Sequence, residues 1–141
     1  MSGRVLAVDI GARRVGLAIS DPTGTIAQPF RTLPRRSTRE VLDAIAEVVA
    51  CLGVSRIVVG LPRDLDGTEG RMARVARRFG ASLAHRTRVP VEFWDERLTT
   101  RAAERVLRGC SPTRRRELRD GVAAALILES YLRRPKPSTA T

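Results

Sequence analysis

The segment RVLAVDI, residues 4–10, is apolar apart from its leading arginine and Asp9. An ionised carboxylate taken into a protein interior without a partner is costly and would sooner bind a proton. A second acidic group, Asp95 and Glu96, directly follows the apolar run VEFW. A third acid, Asp120, is spaced i, i+4, i+7, i+11 with Ala124, Ile127 and Tyr131, which places it at the rim of an apolar helical stripe. Carboxylates gathered in a partly dry site repel one another until protons or cations neutralise them. Oxygen donors without histidine or cysteine suit a hard ion such as Mg²⁺ or Mn²⁺. Two such ions about 4 Å apart can activate water and stabilise the leaving oxygen at a phosphodiester. Each acid also has an ordinary explanation: Asp9 could pair with Arg13 or Arg14, Glu96 with Arg97, and Asp120 could cap or pair within RRRELRD.

Composition narrows the alternatives. His85 is the one histidine, and Cys51 and Cys110 form no CxxC, which argues against a zinc site or a Ser/His/Asp triad. Two reduced thiols are expected. The net charge is +11, and Lys136 is the sole lysine among 26 basic residues. Codon bias can favour arginine over lysine, but it does not create a surplus of positive charge. A polyanionic partner, nucleic acid above all, fits that surplus. No apolar run approaches the ~20 residues that span a bilayer, and the N-terminus lacks a signal-peptide layout, so a soluble cytoplasmic protein without membrane partners is expected.

The elements that must position these acids can be read from hydrophobic period. Residues 4–10 and 15–20 read as two strands joined by the short turn GARR, hence an antiparallel hairpin. TIAQPFRTL offers a third strand, which Pro29 confines to an edge or interrupts. STREVLDAIAEVVACLG opens with a capping box, Ser37 to Glu40, and closes at Gly53, predicting a helix between them. RIVVG is a buried strand, Met72 to Leu83 an amphipathic helix, VEFW a fifth strand and TTRAAERVLRG a third helix. A last helix, with Pro112 in its first turn, runs to about Arg134. The order β-β-β-α-β-α-β-α-α predicts an α/β fold: a mixed five-stranded sheet flanked by helices, an antiparallel meander followed by two parallel strands. Right-handed crossovers would set strands one, four and five parallel and adjacent, and sites in such sheets lie beyond their carboxyl ends. One domain over residues 1–134 and a disordered tail over 135–141 are expected.

Other residues divide between structural and functional readings. Gly60, Gly67 and Gly70 in GLPRDLDGTEG could expose amides along a phosphate path, or the loop could be a turn-rich connection in which Asp or Thr caps the next helix. Thr99 and Thr100 suit helix caps and could also face phosphate. Trp94 suits the core, and His85 a solvated surface.

VDIGARRVGLAISD, IVVGLPRDLDGTEG, DERLTTRAAERVL and RDGVAAALILESYL resemble, in order and spacing, the motifs of the YqgF/RuvX family. That family is named both for Holliday-junction resolution and for pre-16S rRNA cleavage. The resemblance covers nearly the whole chain apart from the tail. It implies an RNase H-like fold and metal-dependent cleavage by Asp9, Glu96 and Asp120, the acids that match the family's motifs. Arg14 matches its basic position in the opening hairpin, and Arg97 follows the matched Glu96; both are candidate phosphate contacts. There are departures from the related RuvC-type resolvases, which carry an acid on the fourth strand and paired acids on the last helix. Here the fourth strand ends in Gly60, and the next acid after Asp120 on the last helix is Glu129, over two turns away.

The expectation is therefore a Mg²⁺- or Mn²⁺-dependent endonuclease, with a two-ion site, acting on branched DNA or structured RNA. Asp9, Glu96 and Asp120 would be both catalytic and metal-binding, while Arg14, Arg97, Thr99, Arg114, Arg115 and Arg116 would hold the nucleic acid. Symmetric cutting of a junction would call for a homodimer; trimming RNA would not. The alternatives are a catalytically inactive nucleic-acid-binding protein and an actin-like ATP- or phosphate-binding domain, which DIGARRVG also suggests.

Overall fold

A computed structural model describes residues 3–63, 66–96 and 123–134. Its elements are β1 (Arg4–Ile10), β2 (Arg14–Ser20), β3 (Ala27–Pro34), α1 (Thr38–Leu52), β4 (Val54–Leu61), α2 (Arg71–Thr87) and β5 (Val91–Asp95). A further helical segment, over 123–132, is called here the C-terminal helix. The strand order is β3-β2-β1-β4-β5. β1 pairs antiparallel with β2 and parallel with β4, and β4 pairs parallel with β5. The predicted sheet is present: strands one, four and five lie side by side with a common direction; the helix expected in TTRAAERVLRG and the start of the last helix at Pro112 lie outside the described residues.

Local chemistry explains the boundaries. The Ser37 side chain accepts from the Glu40 amide at 3.1 Å, while Gly53 closes α1 in the left-handed region at φ 65°. At the β1–β2 turn the Gly11 amide donates to the Arg14 carbonyl at 2.8 Å, and a Cβ on Gly11 would lie 2.9 Å from that oxygen. β3 is an edge strand, as Pro29 requires, and the register with β2 also shifts there, with Ala18 opposite Pro29 and Leu17 opposite Arg31.

The sheet is covered on both faces. Leu6, Val8, Ile10, Val15, Leu17, Ile57 and Val59 pack with Ile45, Val48, Phe79 and Leu83 of α1 and α2. Val5, Ala7, Ala18 and Val58 point the other way, toward Ala124, Ile127, Leu128 and Tyr131 of the C-terminal helix. β1 and β4 therefore read as continuous apolar runs because both of their faces are buried. Tyr131 fixes the register of the C-terminal helix: its hydroxyl receives Arg56 Nη1 at 2.8 Å and donates to Glu92 Oε2. Burial, and then the Glu92 carboxylate, push the Tyr131 phenol above its usual range. Trp94 meets Tyr131 edge to face at 5.7 Å and donates to Ser130 Oγ at 3.0 Å, so it belongs to the packing, as expected. His85 is exposed, again as expected.

Candidate functional site

Side chains on a strand alternate between faces, so Asp9 shares the face of Val5 and Ala7, the one covered by the C-terminal helix. It is one residue from the carboxyl end of β1. Glu96 immediately follows β5 and, by the same alternation, lies on the side of Trp94. Asp95 alternates to the other side, and its carboxylate is 3.9 Å from the Arg63 guanidinium. Of Asp95 and Glu96, which the residues alone leave open, it is Glu96 that this parity puts on the face of Asp9.

β1 and β5 flank β4, so Asp9 and Glu96 start about 10 Å apart, two interstrand spacings. They nevertheless meet, because the Glu96 side chain folds back across β4. It passes over Gly60, where a Cβ would lie only 2.6 Å from Glu96 Oε1. There it hydrogen-bonds Asp9. Burial is the main cause that pushes the Glu96 carboxyl up to about 8; the hydrogen bond to Asp9 and the charges of Asp9 and Asp95 add to it. Without a cation, burial and the neighbouring carboxylate favour the protonated form of Glu96 in this pair.

The pair has the character of a hard-cation site: oxygen donors only, partly withdrawn from water, and held together although like-charged when ionised. Among the described residues no group of three or more acidic, histidine or cysteine side chains is placed to hold a metal ion. The third expected ligand, Asp120, lies outside the described residues, as do Arg97, Thr99, Arg114, Arg115 and Arg116. Arg14 is exposed at the first position of β2, with its carbonyl fixed by Gly11.

The loop after β4 is organised by its own acids. Asp66 Oδ1 accepts from the Thr68 amide at 3.0 Å and hydroxyl at 2.7 Å, and Glu69 accepts from Arg77 Nε and Nη2, both at 2.6 Å. α2 starts at Arg71 after its N-cap Gly70, with no side-chain cap, so the alternative in which Asp or Thr caps this helix is not realised. Gly60 is the site feature that reading by motif undervalues. A glycine inside a buried strand is the available signal, because it marks close approach of another group.

A mixed five-stranded sheet of this order, an antiparallel hairpin and edge strand beside parallel β1, β4 and β5, is an RNase H-like fold. The structure of Thermus thermophilus RuvC in complex with Holliday junction substrate superposes with a TM-score of 0.60 over 93% of this chain and 95% of that one, at 16% identity. The yeast mitochondrial Holliday junction resolvase gives 0.52 over 94% and 78%, at 11% identity. Residues 3–134 match the family described as "RuvX: Holliday junction resolvase", and the chain belongs to that family. A relative from Caldanaerobacter subterraneus subsp. tengcongensis, named "Putative pre-16S rRNA nuclease", is 44% identical over 96% of this chain and 99% of its own. One of the same name from Chloroflexus aggregans is 45% identical over 91% and 92%. No helix among the described residues is long and apolar enough to cross a membrane.

Proposed function

We propose that this protein is a divalent-metal-dependent endonuclease of structured nucleic acid, working in the cytoplasm on the 5′ end of pre-16S rRNA. The observation that carries the reading is the Asp9–Glu96 pair, two carboxyls brought together from strands that do not touch. The net charge of +11 supports a polyanionic substrate, which an acidic centre could accept only with its charge offset. The RNA reading is preferred to junction DNA because the ribosomal name belongs to relatives 44–45% identical, whereas the junction resolvases share the fold at 11–16%.

Asp9 and Glu96, with Asp120, the third acid the family resemblance matches, would hold Mg²⁺ or Mn²⁺. Bound there, a pair of ions would supply Lewis acidity, lowering the pKa of a water and offsetting charge on the phosphate. A cation held there would favour the ionised form of Glu96. Arg14 holds the substrate backbone, together with Arg97, Thr99 and the Arg114, Arg115 and Arg116 run. Water oxygen adds to phosphorus and the bond to O3′ breaks, leaving a 5′-phosphate and a 3′-hydroxyl.

The test is incubation of labelled precursor-like RNA, four-way junction and plain duplex with the protein and Mg²⁺ or Mn²⁺. Structured RNA is cut, and Asp9→Asn reduces the rate by more than about a hundredfold. Equal cutting by wild type and Asp9→Asn would refute the site. Paired symmetric nicks in the junction, by a protein that doubles its solution mass on it, would replace the RNA reading with a resolvase. Binding without cleavage, indifferent to metal, would replace both with a binding protein.

A further inference from the structure

Gly60 has an ordinary strand backbone: among the described residues the glycines with positive φ are Gly24, Gly53 and Gly67. Nothing in the backbone conformation of β4 therefore requires glycine at this position. What its missing side chain provides is space. A Cβ there would lie 2.6 Å from Glu96 Oε1, 3.2 Å from Glu96 Cδ and 2.7 Å from Ile127 Cδ1. Gly60 pairs with Trp94 of β5, and its neighbour Val59 pairs with Val8 of β1, so it lies on the line between Glu96 and Asp9. The atoms that would clash are the ends of flexible side chains, which can move while the strand stays in place.

We infer that Gly60 is a positioning residue, whose lack of a side chain opens the passage by which Glu96 crosses β4 to reach Asp9. A methyl group at 60 turns Glu96 away while leaving the sheet intact. A carboxylate attached at 60 itself would project into the space that Glu96 now fills. This rests on the proposed metal-dependent reading for its effect on cleavage, but the steric relation stands apart from it.

The experiment is a double-mutant cycle on the full chain: Gly60→Ala, Glu96→Ala and the two combined. Mn²⁺ affinity is measured by calorimetry, thermal unfolding without metal, and cleavage of structured RNA. Gly60→Ala is expected to weaken Mn²⁺ binding about tenfold or more and to lower kcat with little change in KM. In the Glu96→Ala background the same substitution changes neither Mn²⁺ affinity nor kcat further, and it lowers the metal-free Tm less than in wild type. Losses that simply add would overturn the inference, because packing against Ile127 would then explain them. Rescue supplies a second arm: Gly60→Asp combined with Glu96→Ala binds Mn²⁺ more tightly than Glu96→Ala alone. If Gly60→Ala does not fold, this rescue decides the matter, and its failure would count against the inference. If Glu96→Ala leaves Mn²⁺ affinity and cleavage at wild-type levels, the metal-site reading fails instead; the metal-free Tm cycle then still decides the steric claim.

Discussion

At the scale of residues, the Asp9–Glu96 pair makes a prediction about pH. The folded chain raises Glu96 from an ordinary 4.5 to about 8, so it binds a proton that the unfolded chain releases. This group's contribution to stability is therefore full below about pH 4.5 and is lost as pH rises through about 8. Asp21 acts in the opposite sense. Amides of Ile26, Thr25 and Thr23 and the Thr23 hydroxyl hold it well below the usual carboxylate range, so its contribution fades in acid. Subtracting the Glu96→Gln denaturation profile from that of metal-free wild type removes Asp21 and leaves a decline between pH 4.5 and 8. A flat difference would show that Glu96 ionises normally. Both acids were legible in the sequence as charges in apolar surroundings, but their contact was not. Asp95 and Glu96 are adjacent in the chain, and strand parity separates their roles.

Among the elements, the two faces of the sheet carry different duties. Ser37 caps α1, on the face away from the acids. Ser37→Ala should cost about 1 kcal/mol in urea unfolding and leave cleavage per folded molecule unchanged. Leu128, fully buried against the other face, belongs to the helix whose Ile127 borders Gly60. Leu128→Ala should cost about 2–5 kcal/mol and also lower cleavage, because that helix lies over the carboxylate face. If both variants affect cleavage alike, the site is not confined to one face. Strands, helices and caps were readable here because period and capping are local. The bulge of β3 was half-readable: Pro29 announces an irregular edge, while the place of the register shift depends on β2.

For the whole molecule, the net charge of +11 predicts how substrate is held. Log affinity for structured RNA should fall linearly with log salt, since each phosphate contact releases counterions. Asp9→Asn should leave that slope unchanged, because charge gathers the substrate while the acids act on it. Fluorescence anisotropy at several salt concentrations measures it; a flat line would disconnect the basic surplus from function. Removing divalent ions with a chelator should abolish cleavage but retain binding.

The chain by itself determined the order of elements, the hairpin, both ends of α1 and the family motifs, because hydrophobic period, caps and turns act over a few residues. It also marked Asp9 as out of place. Only the tertiary structure decided that Glu96 rather than Asp95 meets it, and that Gly60 makes the meeting possible. Those facts depend on which strands are neighbours and which way each side chain points. They arise from packing between segments more than thirty residues apart in sequence.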